Sequence, residues 1–101
     1  MKIYKYTVVF TPEKGEKNVY NVSVPALSGC LTFGESLAEA KYNIRDAMEL
    51  YLESMLDDGE IIPKDKKIRV PKNAIVEEMV VGVDYEVKTG FNNTVKELQY
   101  V

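Results

Sequence analysis

Sixteen carboxylates and one thiol are among the groups in this 101-residue chain that could carry chemistry, and no histidine accompanies them. Without imidazole, the commonest general base, the His-dependent triads and most zinc sites are out of reach. Cys30 has no second Cys or His at ligand spacing. With no neighbouring base to form the thiolate, it reads as a small core residue. The glycines form neither G-x-G-x-x-G nor G-x-x-x-x-G-K, so no phosphate cradle is written in the chain. The carboxylates leave one route, a metal-dependent nuclease, which gathers several acids at strand and helix ends. Residues 3–10, the first expected strand, contain no acid, and the acids of residues 36–58 recur on one polar face. No metal and no cofactor is expected. The chain reads as a binding protein and not as an enzyme.

The elements that would carry these groups follow from hydrophobic periodicity. Tyr4, Tyr6, Val8 and Phe10 share one face, with Lys5 and Thr7 on the other, and predict a strand over 3–10. A polar loop over 12–18 leads to Tyr20, Val22 and Val24, which alternate again, so an antiparallel hairpin is expected. Pro25-Ala26-Leu27-Ser28-Gly29 makes a corner, because Pro lacks the donor a central strand needs. Residues 30–33 predict a short third strand. Ser36-Leu37-Ala38-Glu39 then has the spacing of a capping box, in which Ser accepts from the residue-39 amide and Glu reaches back to the Ser amide. Leu37, Ala40, Ile44, Ala47, Met48, Tyr51, Leu52 and Met55 follow at helical spacing and form one stripe. Gly59 suits the position just past the helix, and Pro63 blocks its resumption. Lys64 to Lys72 is a basic connector in which Ile68 and Val70 could pair briefly on a sheet edge. A last strand is expected over 80–88, with Val81, Val83, Tyr85 and Val87 on one face. Residues 89–101 make a turn and a tail, the latter read as a helical turn or an edge strand.

The fold expected is α+β: a single-domain, two-layer βββαβ unit over 1–101. It has three antiparallel strands, one long helix on one face, a fourth strand and a short C-terminal tail. A composition of 46% hydrophobic and 29% charged residues fits an ordinary globular domain. No run approaches the ~20 apolar residues of a membrane span, and the start has no signal-peptide pattern. With a single Cys, this places the chain in the cytoplasm as an expectation.

Charge sharpens the reading. Residues 35–60 hold eight acids against Lys41 and Arg45, while the flanking thirds are mildly basic. On a helical projection Glu39, Asp46, Glu49, Glu53 and Asp57 fall opposite the apolar stripe, with Tyr42 among them and Leu50 at their border. Glu49, Glu53 and Asp57 stand at four-residue intervals and repel by ~0.2–0.5 kcal/mol per pair. Asp57 and Asp58 sit at the unfavourable end of the helix dipole. Such a face disfavours nucleic acid and suits a basic protein. Tyr42, Asp46, Glu49 and Glu53 are therefore the candidate partner contacts. The alternative reading of the same residues is an ordinary solvated face. The basic connector likewise reads as a solvated loop before a phosphate-contacting patch, since no aromatic interleaves its bases.

The order of short motifs resembles the HicB-like antitoxin family. The matching residues are Tyr6-Thr7-Val8-Val9-Phe10 and the run from Tyr20 through Val24-Pro25-Ala26-Leu27-Ser28-Gly29-Cys30. Next come Gly34-Glu35-Ser36-Leu37-Ala38-Glu39-Ala40, Leu50-Tyr51-Leu52 and Asp57-Asp58-Gly59-Glu60-Ile61-Ile62-Pro63. The resemblance is strongest over 4–63. Ser28 stands where the family usually has Pro. The resemblance implies a degenerate ribonuclease H-like βββαβ unit without catalysis, which neutralises a small basic RNA-cleaving toxin, HicA, by covering its active site. It also implies a homo-oligomer, dimer or tetramer. Many members carry a C-terminal DNA-binding module; thirteen residues follow Lys88, too few for one, so DNA binding is not expected. An orphan relative acting as a DNA-binding regulator, or as a binding module without a toxin, is the alternative.

Overall fold

Alternation in the first dozen residues produces β1 (Lys2–Pro12) in the computed structural model, which describes residues 1–84. β2 (Tyr20–Ser23) and β3 (Leu31–Gly34) follow as two antiparallel hairpins, then α1 (Leu37–Asp57), then β4 (Ile75–Val83). β4 returns alongside β1, antiparallel, so the sheet order is β3-β2-β1-β4 with the first strand inside. The α+β architecture is the expected one. Leu27 closes the corner between β2 and β3: its amide bonds to the Val24 carbonyl at 2.9 Å and its side chain is buried.

α1 lies on one face of the sheet. Tyr6, Val8 and Phe10 of β1, Val22 of β2 and Met79, Val81 and Val83 of β4 meet Ala40, Ile44, Met48 and Leu52 of α1 in one core. Each large aliphatic side chain so buried contributes about 1.5–3 kcal/mol. Cys30 belongs to this core, and burial pushes its thiol pKa up, away from the reactive thiolate.

The helix start needs a glycine beside it. A Cβ on Gly34 would fall 2.6 Å from the Ala40 Cα and against its amide nitrogen, so β3 can approach the first turn only without a side chain there. Ser36 caps the helix as expected, its hydroxyl accepting from the Glu39 amide at 3.0 Å. The return bond differs from expectation. The Glu39 carboxylate accepts from the Glu35 amide, one residue earlier, because Ser36 is in extended conformation and turns Glu35 toward the first turn. At the far end Gly59 takes φ +71°. The Glu60 amide reaches the Met55 carbonyl at 2.9 Å and the Gly59 amide the Leu56 carbonyl at 3.2 Å, closing the helix by a Schellman turn. No base occupies the last turn. Leu56, and not Met55, packs on the core there, joined by Ile62 from beyond the turn.

Two further expectations are corrected. The last strand begins at Ile75, five residues before the expected start, and Asp84 already lies outside it. Glu77 interrupts the apolar alternation but is accommodated at the sheet margin by Lys41, 2.9 Å away. Tyr85, Val87 and the tail 89–101 lie outside the described residues. Ile68 and Val70 form no strand. The connector instead meets β1 where β2 has ended: the Thr7 amide and hydroxyl both donate to Asp65, each at 2.8 Å, and the Tyr6 hydroxyl donates to the Pro63 carbonyl at 2.6 Å. A carboxylate thus stands in for the missing neighbour strand. Partial burial alone would raise the Asp65 pKa; the Thr7 and Lys66 donors and the Lys5 charge together bring it below the usual aspartate value.

Candidate partner-binding surface

Helical spacing carries Tyr42, Asp46, Glu49 and Glu53 to the outer side of α1, away from the buried line Ala40–Ile44–Met48–Leu52. Tyr42 is 74% exposed, Asp46 and Glu53 are exposed, and Glu49 is half-buried. Glu39, the fifth acid of the expected face, is engaged in the helix cap.

The charge balance of this face depends on where the two helix bases go. Both go to β4. The Lys41 ammonium pairs with Glu77 at 2.9 Å, and an Arg45 guanidinium nitrogen donates to the Val80 carbonyl at 3.0 Å. Neither is within salt-bridge distance of a helix acid in the described residues. The outer acids therefore have no ion-pair partner on their own helix among the described residues, although Arg45, bonded to a neutral carbonyl, keeps its charge. An approaching cation meets their summed field, strongest at low salt.

The opposite flank of α1 faces β3. The Asn43 amide donates to the Phe33 carbonyl at 2.9 Å, and the Tyr51 hydroxyl donates to the Ser28 carbonyl at 2.8 Å. Between these two ties a groove of about 410 Å³ opens, lined by Cys30, Leu31, Ala47, Leu50 and Tyr51 among others. Leu31 is 67% exposed and Leu50 60%. Leu31 and Phe33 share the sheet face turned from the helix, with Asn21 and Ser23 beside them. Sequence reading placed Leu50 at the border of the acidic stripe and gave Leu31 and Phe33 no role. The signal was present in Leu31-Thr32-Phe33, whose alternation pairs two apolar residues on one face of a short strand.

Among the described residues, no three Cys, Asp or Glu side chains gather as metal ligands, and no helix is long and apolar enough to cross a membrane. The acids of the candidate surface lie along a convex helix, which presents charge outward and encloses nothing.

Comparison with known proteins gives this surface a context. Residues 6–92 match the family model described as "HicB_like antitoxin of bacterial toxin-antitoxin system". A UPF0150 protein of Thermoplasma acidophilum is 43% identical over 70 residues, which span 69% of this chain and 99% of that protein. A UPF0150 protein of Synechocystis is 37% identical over 75 residues, 74% of this chain and 92% of its own. Among solved structures, the N-terminal domain of the Burkholderia pseudomallei antitoxin HicB superposes with a TM-score of 0.55 at 23% identity, covering 80% of this chain and 99% of that one. A chain of a HicA3 and HicB3 toxin-antitoxin complex superposes with a TM-score of 0.52 at 17% identity, covering 83% of this chain and all of the other. At these identities the superpositions establish a shared fold.

Proposed function

This chain belongs to the HicB-like antitoxin family, and from that premise we propose that it is a non-catalytic antitoxin. It would neutralise a small basic RNA-cleaving toxin of the HicA type by covering its active site. The contact is made by the outer face of α1, with Tyr42 as the aromatic anchor and Asp46, Glu49 and Glu53 as the charged contacts.

One observation carries this reading: both bases of α1 turn to β4, and no cation is ion-paired with the outer acids among the described residues. A toxin that binds RNA presents cations spaced for phosphates and surfaces on which bases stack. A helix bearing fixed carboxylates around an exposed Tyr42 offers similar chemistry without a scissile bond. Occupying the toxin's cationic surface would exclude RNA by charge and by bulk. The acid-free β1 and the convex placement of the helix acids support a role without catalysis.

Co-expression with the HicA-type toxin of the same genome tests the proposal. The expected result is restored growth and a complex that survives purification. Replacing Glu49 and Glu53 together by Lys weakens the complex about tenfold or more at low salt, with a smaller effect at high salt. Unchanged affinity at low salt would overturn the assignment of the face. Failure to bind any HicA-type toxin would overturn the function.

A further inference from the structure

We propose that the groove between the outer edge of β3 and α1 is a second contact site, taking a short extended protein segment with a basic–apolar–apolar–apolar–basic pattern. The backbone of β3 prepares one side. The Cys30 carbonyl turns inward to the Val24 amide at 3.3 Å, and the Phe33 carbonyl turns outward to Asn43 at 2.9 Å. Alternation along an antiparallel strand therefore turns the Leu31 amide and carbonyl outward as well, off the end of the sheet. An edge with free donors and acceptors is a template for one more strand.

The helix prepares the other side. The middle residue of an incoming strand would point into the groove of about 410 Å³ beside Leu50, Ala47 and Tyr51. Its immediate neighbours would point to the opposite face, beside the exposed Leu31 and Phe33. Residues two positions either side of the middle one return to the helix face, about 13 Å apart. Asp46 and Glu53 bracket Leu50 along α1, seven residues and about 10.5 Å apart. Both are exposed, and neither forms a salt bridge in the described residues. The spacing matches a base at each end of a five-residue strand.

Charge also chooses among occupants. A second copy of this chain would bring its own Asp46 and Glu53 to the same place, and a nucleic acid would bring phosphates; both are repelled. A basic protein segment is attracted. That the segment belongs to a toxin rests on the function proposed above; the groove and its pattern do not.

The probe is the peptide acetyl-Gly-Lys-Val-Leu-Val-Lys-Gly-amide, titrated into the full chain and followed by backbone amide NMR. The expected shifts centre on residues 29–33 and 47–54, with slowed exchange of the Leu31 amide. Exchanging both Lys for Glu in the peptide weakens binding about tenfold or more. N-methylation of alternate peptide amides, which blocks strand pairing, abolishes it. Leu50→Ser, at an exposed site with unchanged melting temperature, weakens binding of the unmodified peptide. No binding, or shifts centred on β4 or on the first turns of α1 around Tyr42, would overturn the proposal. So would a dimer of the chain that occupies the groove and is dispersed by Leu31→Lys. None of these outcomes depends on a toxin, so the peptide result and the co-expression result stand or fall separately.

Discussion

β3 and β4 are the two edges of one sheet, and α1 treats them differently. Over β4 it spends its cations: Arg45 takes the Val80 carbonyl and Lys41 pairs with Glu77. Over β3 it spends one neutral amide, Asn43, and leaves Leu31 and Leu50 exposed beside a groove, with Phe33 exposed on the far face of the strand. β4 has nine residues and β3 has four. A long edge invites unwanted pairing, and charge placed along it discourages that. A short edge is the safer one to leave open. Where an element sends its bases thus decides two things at once: which edge is guarded, and which face of the helix stays acidic.

The contrast can be broken most severely at Gly34. Gly34→Ala forces a Cβ into the Ala40 backbone and should cost about 2–3 kcal/mol, lowering the melting temperature by roughly 10 °C or more. Amide exchange should quicken first in β3 and the first turn of α1, with the β1–β4 ladder holding longer. Equal loss across both edges would show that β3 is not separately anchored by this contact.

A smaller effect is expected at Asp65, which closes the length of β1 edge that β2 leaves bare. Asp65→Asn keeps the shape but weakens the bonds from Thr7, and should cost about 1 kcal/mol at neutral pH in denaturant titrations. The Asp65 pKa is lowered in the folded chain. Its contribution is therefore complete above the unfolded aspartate value of about 4 and is lost as pH falls through the lowered folded value. The gap in stability between the wild type and Asp65→Asn should close on acidification below about pH 4. A constant gap across that range would assign the loss to packing.

The smallest change in stability, under ~1 kcal/mol, is expected from Lys41→Gln with Arg45→Gln, since the Arg45 contact is exposed and the Lys41–Glu77 pair partly so. Its value lies in a second readout. Faster exchange at β4 and concentration-dependent association, seen by sedimentation, would confirm that these cations guard the edge. An unaltered monomer–oligomer balance would leave β4 protected by its own twist and side chains.

The helix and the two hairpins were legible because their signals are local. Ser36, Gly59 and the three-and-four spacing from Leu37 to Leu52 define α1 within a few residues of where it runs. The start of β4 was not legible, because Glu77 and Glu78 break the alternation and Glu77 is excused only by Lys41, thirty-six residues earlier. The Asp65 clamp was hidden for the same reason. It is the one acid in a run of bases, and its partner Thr7 lies fifty-eight residues away. The candidate face was readable as a pattern of acids around Tyr42. That its neighbouring bases are turned away, and that Leu31 and Leu50 border one groove, depends on how the helix is laid across the sheet.

The last turn of α1 has a consequence of its own. It ends in Asp57 and Asp58 with no base to offset the carbonyl end of the helix, so this is where local opening should be cheapest. A cation bound there would steady the turn, and by thermodynamic reciprocity a chain with that turn already ordered would hold the cation more tightly. The strain left in the free helix is in that sense a stored preference for company. It predicts a helix whose loosest turn becomes one of its firmer ones on binding.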